Sequence, residues 1–219
     1  MTETKELLDL SKTIAKDYLE NFKYPWEALD GIKDFILSLG PQLSPNEYDN
    51  ISEGVWIAKD AKIFPSAYIG SPCIIGRGAE VRHCAFIRGS AIVGSNAVVG
   101  NSTELKNVIL FDNVQVPHYN YVGDSILGYK AHMGAGAITS NVKSDKSLVV
   151  VKEPGNPHET GRKKFGAVVG DYAEVGCNSV LNPGTIIGRN SNIYPTSCVR
   201  GVVPENSIYK SENVTVSKK

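Results

Sequence analysis

The sequence repeats an aliphatic residue every six positions, and this ladder constrains the fold more than any other feature. Its two uninterrupted runs are Ile57, Ile63, Ile69, Ile75, Val81, Ile87, Val93, Val99 and Leu105, then Val169, Val175, Leu181, Ile187, Ile193 and Val199. A helix repeats its buried face about every 3.6 residues and a strand every two, so neither alone predicts a period of six. A small residue follows most members by four positions, as at Ala61, Ala79 and Ala97. The pattern predicts an all-β solenoid, a parallel β-helix in which three hexads make one coil.

The bulk composition argues against several classes of function. The 219 residues contain 23 Lys and Arg and 23 Asp and Glu, so no net charge attracts nucleic acid or a membrane surface. The start, MTETKELLDL, lacks the basic and apolar regions of a signal peptide, and no apolar run approaches the roughly 20 residues of a membrane helix. We therefore expect a cytoplasmic protein. Its cysteines are expected to be buried free thiols, at Cys73, Cys84, Cys177 and Cys198.

The stretch before the ladder has a helical pattern. Residues 3–22 carry an apolar stripe of helical period, and Pro25 begins a second predicted helix that runs to about Leu39, before Gly40 and Pro41. We expect this helical segment, residues 1–50, to cover one open end of a β-helix spanning 51–210, with a tail at 211–219. A docking module for another protein is the alternative.

Between the two runs the period fails. The six-residue spacing continues in frame at Phe111 and Pro117, and it resumes in a shifted frame at Leu127 and Met133. Residues 142–163 contain no hexads but do contain Pro154, Gly155 and Pro157, which predicts a loop that leaves the wall of the coil. Long loops in compact domains are often functional, and this one adjoins the irregular centre.

The irregular centre also concentrates polar side chains. They are Glu104, Lys106, Asn107, His118, Tyr119, Asn120, Tyr121 and Asp124. His118 follows Pro117 where the repeat is interrupted, and a neutral imidazole there can accept a proton, a role worth about 10²–10⁴ in rate. Further on, the run Gly134-Ala135-Gly136 leaves the wall bare for an extended ligand, although a tight corner explains it equally well. No phosphate-loop or dinucleotide-binding motif is present, so a nucleotide-binding fold is unsupported.

Together, the ladder, ELKN at 104–107, the His-x-x-Tyr-x-Gly-Asp run at 118–124, GAGAITSN at 134–141 and KKFGAVVGD at 163–171 resemble sugar-1-phosphate acetyltransferases. The similarity covers roughly 52–210. It is to the acetyltransferase half of bifunctional N-acetylglucosamine-1-phosphate uridyltransferase and to the archaeal sugar-1-phosphate nucleotidylyltransferase/acetyltransferases. It implies a left-handed β-helix and a homotrimer with active sites between subunits. Acetyl-CoA would acetylate the amine of glucosamine-1-phosphate or galactosamine-1-phosphate, towards UDP-N-acetylglucosamine.

The resemblance also implies roles for individual residues. His118 matches the general base. The substrate positions are Arg88, Lys106 and Lys164 around the phosphate, with Glu104, Tyr121 and His132 in the sugar pocket. The acetyl-CoA positions are Ala135, Asn141, Cys177, Pro195 and Lys210. Four of these depart from the family pattern: His132 replaces an asparagine, Cys177 a serine and Pro195 an alanine, and Lys210 lies near the family's arginine.

Several alternatives stay open. The nucleotidyltransferase half has no counterpart here, so a separate nucleotidyltransferase is an expected partner. The chain could acylate another amino sugar or a sugar hydroxyl, it could use Cys177 as a nucleophile, or it could be a non-catalytic trimeric scaffold. A carbonic anhydrase of this fold needs three zinc-binding histidines. His83 and His118 have a suitable separation, but Val122 and Gly123 stand where the third is expected, so we predict no metal.

Overall fold

The computed structural model describes residues 2–211 and 214–218 and confirms the parallel β-helix. Where the hexads are regular, each strand pairs in parallel with the strand three hexads further on, as Val55 pairs with Cys73 and Cys73 with Ala91. Three hexads therefore do make one coil. The stacked strands form three flat faces around one apolar interior.

The strands are short because each face is only a few residues wide. The first face contains Val55–Ala58, Cys73–Ile75, Ala91–Val93, the second halves of Glu104–Leu110 and Tyr121–Leu127, Ala167–Val169, Thr185–Ile187 and Val202–Val203. The second face contains Lys62–Ile63, Glu80–Val81, Val98–Asn101, Gln115–His118, His132–Met133, Glu174–Val175, Asn192–Ile193 and Ser207–Ser211. The third face contains Tyr68–Ile69, Phe86–Ile87, the first halves of the two long strands, Ile138–Thr139, Val180–Leu181 and Cys198–Val199.

The ladder residues point into the solenoid and form its core. Ile75, Val93, Leu105 and Val169 are fully buried. Burying an aliphatic side chain of this size contributes about 1.5–3 kcal/mol, so the stacked hexads supply most of the driving force for folding.

Two coils in the irregular centre are one residue short. Ala91 pairs with Val108, and Val108 with Ser125, in each case one position before three full hexads are complete. The prediction that Phe111 and Pro117 continue the ladder is therefore wrong. The inward positions belong to the residues before them, since Leu110 pairs with Val93 and Val116 with Val99. Leu127 and Met133 are confirmed in the shifted frame, because they pair with Leu110 and Val175.

The shortening has a local cause. In these two coils a single strand runs from the third face into the first, and the corner is turned by one residue with positive φ. These residues are Asn107, with φ 55°, and Asp124, with φ 47°. Asparagine and aspartate tolerate this left-handed conformation better than most residues.

The predicted loop at 142–163 does leave the wall. Ile126 pairs with Val168, and Val168 pairs in turn with Ile186. The second of these stretches is one regular coil, and the first is four hexads longer. The insertion contains a small hairpin of Val150–Val151 and His158–Glu159. Its two ends meet where the Phe165 amide donates to the Asn141 carbonyl at 3.0 Å, so the coil closes as if the insertion were absent.

The helical segment differs from its prediction in form and position. Residues 3–22 form three short turns rather than one helix. The helical elements are Thr4–Leu7, Lys16–Leu19 and Ile32–Leu39, with 3₁₀ turns at Leu10–Lys12, Pro25–Asp30 and Gly40–Gln42. They pack along the first face rather than over an end. The outward side chains of that face are themselves apolar and fully buried, at Ile74, Ile92, Ile109, Ile126, Val168 and Ile186.

The ends of the solenoid are covered by antiparallel strands. Tyr48–Ser52 pairs with Val55–Ala58, and Val214–Ser217 pairs with Ser207–Ser211. In the predicted tail at 211–219, residues 212, 213 and 219 lie outside the described residues. Among the cysteines, Cys73 is buried, while Cys84, Cys177 and Cys198 are exposed, so the expectation of four buried thiols is wrong. Within the described residues, no helix has the length and apolarity needed to cross a bilayer.

Candidate functional site

A cavity of about 970 Å³ follows the corner between the third and first faces. We call it the groove. One wall is the corner itself, with Pro72, Arg88, Ser90, Lys106, Asn107 and Asp124; the second is the helical segment, with Asp30, Lys33 and Leu37; the third is the end of the insertion, residues 161–164. All three stretches of the sequence therefore build it.

The groove is strongly cationic. Six cationic side chains and three carboxylates line it, which gives a net charge of +3: Lys33, Arg88, Lys106, Arg162, Lys163 and Lys164 against Asp30, Glu53 and Asp124. It therefore brings together the three residues predicted to hold a phosphate, Arg88, Lys106 and Lys164. A cleft lined by one sign of charge concentrates ligands of the opposite sign.

A buried carboxylate organises the floor of the groove. The Asp124 side chain is 3% exposed, and the Lys106 ammonium donates to its two oxygens at 2.8 and 3.1 Å. The side-chain amides of Asn107 and Asn141 donate to the same carboxylate at 3.0 and 2.6 Å. Asn141 also donates to the Tyr121 hydroxyl at 3.2 Å. Burial, and then the Asp124 charge, raise the pKa of Tyr121, so its phenol stays protonated.

Asp124 is a site residue that the sequence did not assign. The sequence contained a signal for it, because an acidic residue just before a buried apolar run is unusual unless its charge is paired. Asn141, a predicted acetyl-CoA position, belongs to the same network. It lies beside Tyr121 and Asp124 at the groove.

The other cations of the groove differ in their pairing. Arg88 contacts Glu104 at 3.0 Å across the third face, and this carboxylate raises the pKa of the guanidinium. Arg162, whose side chain is 10% exposed, contacts Asp30 at 2.6 Å and ties the insertion to the helical segment. Lys33, Lys163 and Lys164 have no ion pair with any of residues 2–211 and 214–218. These three are free to meet an anionic ligand.

The corner between the second and third faces carries a different set of side chains. His118, Ala135, Cys177 and Pro195, which we call the His118 edge, occupy equivalent positions in successive coils. Each lies three positions after a member of one paired row on the second face, formed by Gln115, His132, Glu174 and Asn192. The Gly136 amide donates to the His118 carbonyl at 3.0 Å, and the Asn178 amide to the Ala135 carbonyl at 2.8 Å.

The wall of this edge is kept flat by glycine. A Cβ on Gly134 would lie 2.8 Å from the Cys177 amide nitrogen, so a larger residue would push the coils apart. His118 and Cys177 are exposed at the surface. The side chains in register with His118 are small: Ala135 is half-buried, and Cys177 and Pro195 are exposed.

The backbone of His118 is fixed from below by Asn120, which is 2% exposed. The Asn120 side-chain oxygen, Oδ1, accepts from the His118 backbone amide at 3.1 Å, while its Nδ2 donates to the Gly134 and Ala137 backbone carbonyls at 2.8 and 3.0 Å. Asn120 therefore joins the His118 coil to the next coil of the edge.

The third face lies between the His118 edge and the groove. Tyr121 is three residues after His118 and pairs with Glu104, and Lys106 pairs with Gly123. Gly123, the strand position beside Lys106, thus follows His118 by five positions, at most about 17 Å at roughly 3.3 Å per residue. Tyr121 and Glu104 occupy the strip between the imidazole and the cations.

Two predicted site residues lie elsewhere in the chain. His132 is on the second face, where its Nδ1 lies 2.8 Å from the Glu174 carboxylate. It lines a smaller cavity of about 370 Å³ with Gln115 and Tyr172. Lys210 is exposed near the end of Ser207–Ser211, one position off the register of the His118 edge. Within one chain, neither residue reaches the groove.

Known proteins with similar sequences share almost the full length of this chain. It is 33% identical over 207 residues to the bifunctional protein GlmU of Methanococcus maripaludis, covering 93% of this chain and 50% of that protein. The chain is a relative of the GlmU proteins. It is also 30% identical to a bifunctional sugar-1-phosphate nucleotidylyltransferase/acetyltransferase of Sulfurisphaera tokodaii, covering 94% of this chain and 54% of that one. The chain thus spans about half the length of the GlmU proteins and related enzymes that it matches.

Among solved structures, similar chains include a hexapeptide transferase family protein from Anaplasma phagocytophilum. It has a TM-score of 0.42 and 15% identity, and the match covers 76% of this chain and 81% of that one. The acetyltransferase domain of PglB from Neisseria gonorrhoeae, in complex with acetyl coenzyme A, has a TM-score of 0.35 and 15% identity over 83% of this chain and 76% of that one. No family model matches the chain.

Proposed function

We propose that this chain transfers an acetyl group from acetyl-CoA to the amine of an amino-sugar-1-phosphate, glucosamine-1-phosphate or galactosamine-1-phosphate. The observation that carries the proposal is the gathering of Arg88, Lys106 and Lys164 in one groove, one face away from His118. Three cations suit a dianionic phosphate, and an arginine can bind it through two parallel donors. The likeness to GlmU proteins and to a sugar-1-phosphate nucleotidylyltransferase/acetyltransferase supports the same substrate class.

In the proposed mechanism, His118 accepts a proton from the substrate ammonium, which frees the nitrogen lone pair. The amine then attacks the thioester carbonyl carbon, and the carbon–sulfur bond breaks with its electron pair going to sulfur. The proton that the acylated nitrogen loses neutralises the coenzyme thiolate, and the proton held by His118 passes to solvent. The products are the N-acetyl sugar phosphate and free coenzyme A. Holding both reactants in place can supply several kcal/mol of the reduction in barrier.

The remaining residues position the two substrates. Arg88, Lys106 and Lys164 fix the phosphate, while Tyr121 and Glu104 contact the sugar between the groove and His118. Acetyl-CoA lies along the His118 edge, against Ala135, Cys177 and Pro195. Backbone N–H groups at the corners of the coil stabilise the negative charge that develops on the thioester oxygen. No covalent acetyl-enzyme is needed.

The assembly is also part of the proposal. We infer a homotrimer, with sites completed between neighbouring subunits, and a separate nucleotidyltransferase as a functional partner. His132 and Lys210, which lie away from the groove within one chain, would reach a site only across such an interface. Closed cyclic assembly is a common outcome for homo-oligomers. Light scattering of the purified protein tests the trimer directly.

The decisive test is release of free thiol from acetyl-CoA with a panel of amino-sugar-1-phosphates. His118→Ala should lower turnover by about 10²–10⁴. His83→Ala is the matched control, because His83 is exposed two coils away, in the same register as His118. If no amino sugar yields coenzyme A, the chain is better explained as a non-catalytic scaffold. If His118→Ala keeps full turnover, the mechanism is wrong.

A further inference from the structure

The corner that forms the groove continues past the insertion, and a separate cavity of about 330 Å³ opens there. We call it the insertion cavity. Its lining comes from the insertion, at Lys143, Val150, Lys152 and Pro157, and from the two coils that follow, at Asn182, Pro183, Arg200 and Gly201. The volume is at the lower end for small-molecule sites, which suits one compact ligand.

The insertion cavity is too far from the groove for one phosphate to contact both. Lys106 pairs with Gly123, and Arg200 occupies the same row of the third face three coils beyond Gly123. Neighbouring coils are about 4.8 Å apart, so these four steps place Arg200 about 19 Å from Lys106 along the solenoid. A phosphate held by Lys106 in the groove therefore leaves Arg200 free.

The insertion cavity is cationic. Among the described residues, three cationic side chains and no carboxylate line it. Lys143 contacts Asp145 at 3.6 Å. Lys152 and Arg200 are exposed, and neither has an ion pair in the part of the chain that the structure describes. Like charges that line one cavity repel each other, and a bound anion relieves that repulsion. The cavity therefore favours an anionic ligand.

A close contact between two backbones holds Lys152 at this cavity. A Cβ on Gly201, where φ is 76°, would lie 2.8 Å from the Lys152 carbonyl oxygen, so a larger residue would push the insertion away from the coil. Arg200 directly precedes Gly201. The contact thus brings one cation of the insertion and one cation of the coil to the same cavity.

The remaining lining suits an organic group. Val150, Pro157 and Pro183 supply apolar surface beside the cations. An inorganic anion leaves this surface uncovered, whereas an organic group attached to the anion buries part of it, which favours binding. An arginine can hold a phosphate through two parallel donors, and a lysine adds a point charge. These features together fit a phosphate monoester.

We propose that the insertion cavity binds an organic phosphate monoester, at a site separate from the acceptor site in the groove. The phosphate lies between Lys152 and Arg200, and the organic group packs on Pro157 and Pro183. The ligand therefore ties the tip of the insertion, residues 152–157, to the stacked coils. The same insertion forms one wall of the groove through residues 161–164. The proposal does not depend on acetyl transfer.

Limited proteolysis tests this site without acetyl-CoA or an amino sugar. The probe is phenyl phosphate, which should slow cleavage within residues 152–157 as its concentration rises. Arg200→Gln removes the two-donor contact and should raise the concentration for half-protection about tenfold. Lys146→Asn is the matched control and should behave as wild type. It removes one charge from the same insertion, at an exposed residue outside the cavity whose φ of 59° asparagine tolerates.

Two further comparisons separate the insertion cavity from the groove and test the organic group. Lys164→Ala, a change in the groove, should leave the half-protection concentration unchanged. Inorganic phosphate should protect only at about tenfold higher concentration than phenyl phosphate. The proposal is overturned if phenyl phosphate gives no protection, or if Arg200→Gln is protected as well as wild type. It is also overturned if Lys164→Ala abolishes protection, or if the two phosphates are equally potent.

Discussion

The two corners that border the third face are built in different ways. The His118 edge consists of repeat residues alone: each coil contributes one residue in register, and glycine keeps the wall flat. The groove takes its walls from the corner, the helical segment and the insertion. A regular coil thus makes a narrow, bare surface, whereas a deep charged pocket requires elements from outside the repeat.

This difference predicts that substitutions in the groove can change both acceptor binding and the stability of the fold. At the His118 edge we expect substitutions to leave the stability of the fold unchanged. Lys106→Ala should lower the free energy of unfolding by about 2 kcal/mol, because it removes the cation that offsets the buried Asp124 charge while two asparagine donors remain. Chemical denaturation measures this. It should also raise KM for the acceptor.

Lys164→Ala is the matched variant for that measurement. Lys164 lines the same groove but is exposed and unpaired among the described residues. It should raise KM while changing stability by less than about 0.5 kcal/mol. Equal losses of stability in the two variants would show that the Lys106–Asp124 pair has no special structural role.

At the His118 edge, the expected effect is chemical protection. Acetyl-CoA should slow the alkylation of Cys177 by about tenfold, because a ligand that binds the native state excludes the reagent in proportion to its occupancy. Cys84 and Cys198 are exposed internal references, and the buried Cys73, whose pKa burial raises to about 12, should not react in the native protein. Peptide mass spectrometry resolves the four sites. Uniform protection, or none, would place the coenzyme elsewhere.

A smaller effect is expected where the insertion meets the helical segment. Asp30→Asn removes the carboxylate beside Arg162 and should cost about 0.5–1 kcal/mol, since Asp30 itself is largely exposed. The third wall of the groove should then loosen. Limited proteolysis should cut within residues 152–157 faster than in the wild type. Asp34→Asn, one turn further along the same segment, is an exposed control that has no ion pair in the described chain.

The smallest expected effect concerns the far end of the insertion. A hydrogen bond from His158 lowers the pKa of Glu153 below its ordinary value of 4.5. A carboxyl with a lowered pKa contributes stability above that ordinary value, and the contribution is lost as the pH falls through the pKa of the folded state. Below about pH 4.5, wild-type protein should therefore lose stability more steeply than Glu153→Gln. Parallel slopes would assign the acid sensitivity to other carboxyls.

The sequence predicted the repeat well, because an inward residue every six positions is a direct consequence of coil geometry. It also singled out Arg88, Lys106, Lys164 and His118, which the structure places on either side of one face. It failed where one position changed the frame: the single-residue corner at Asn107 moved the ladder from Phe111 to Leu110.

The sequence also contains a signal for where the helical segment packs. Outward isoleucines at Ile74, Ile92, Ile109 and Ile126 make the first face apolar on both sides, which requires a covering element. Asp124 and Asn141 were harder to place, since their partners come from neighbouring coils and the insertion hides the spacing.

The hydrogen bond between Asn141 and Phe165 makes the insertion a replaceable part. Because the chain leaves and rejoins the coil at one point, the entropic cost of a longer insertion is small, about 0.6 kcal/mol for each doubling of a closed loop. Related chains could therefore exchange one wall of the groove for another without disturbing the stacked coils. Such a joint lets a rigid and repetitive scaffold acquire new acceptors by evolution, and it marks where a protein engineer would cut.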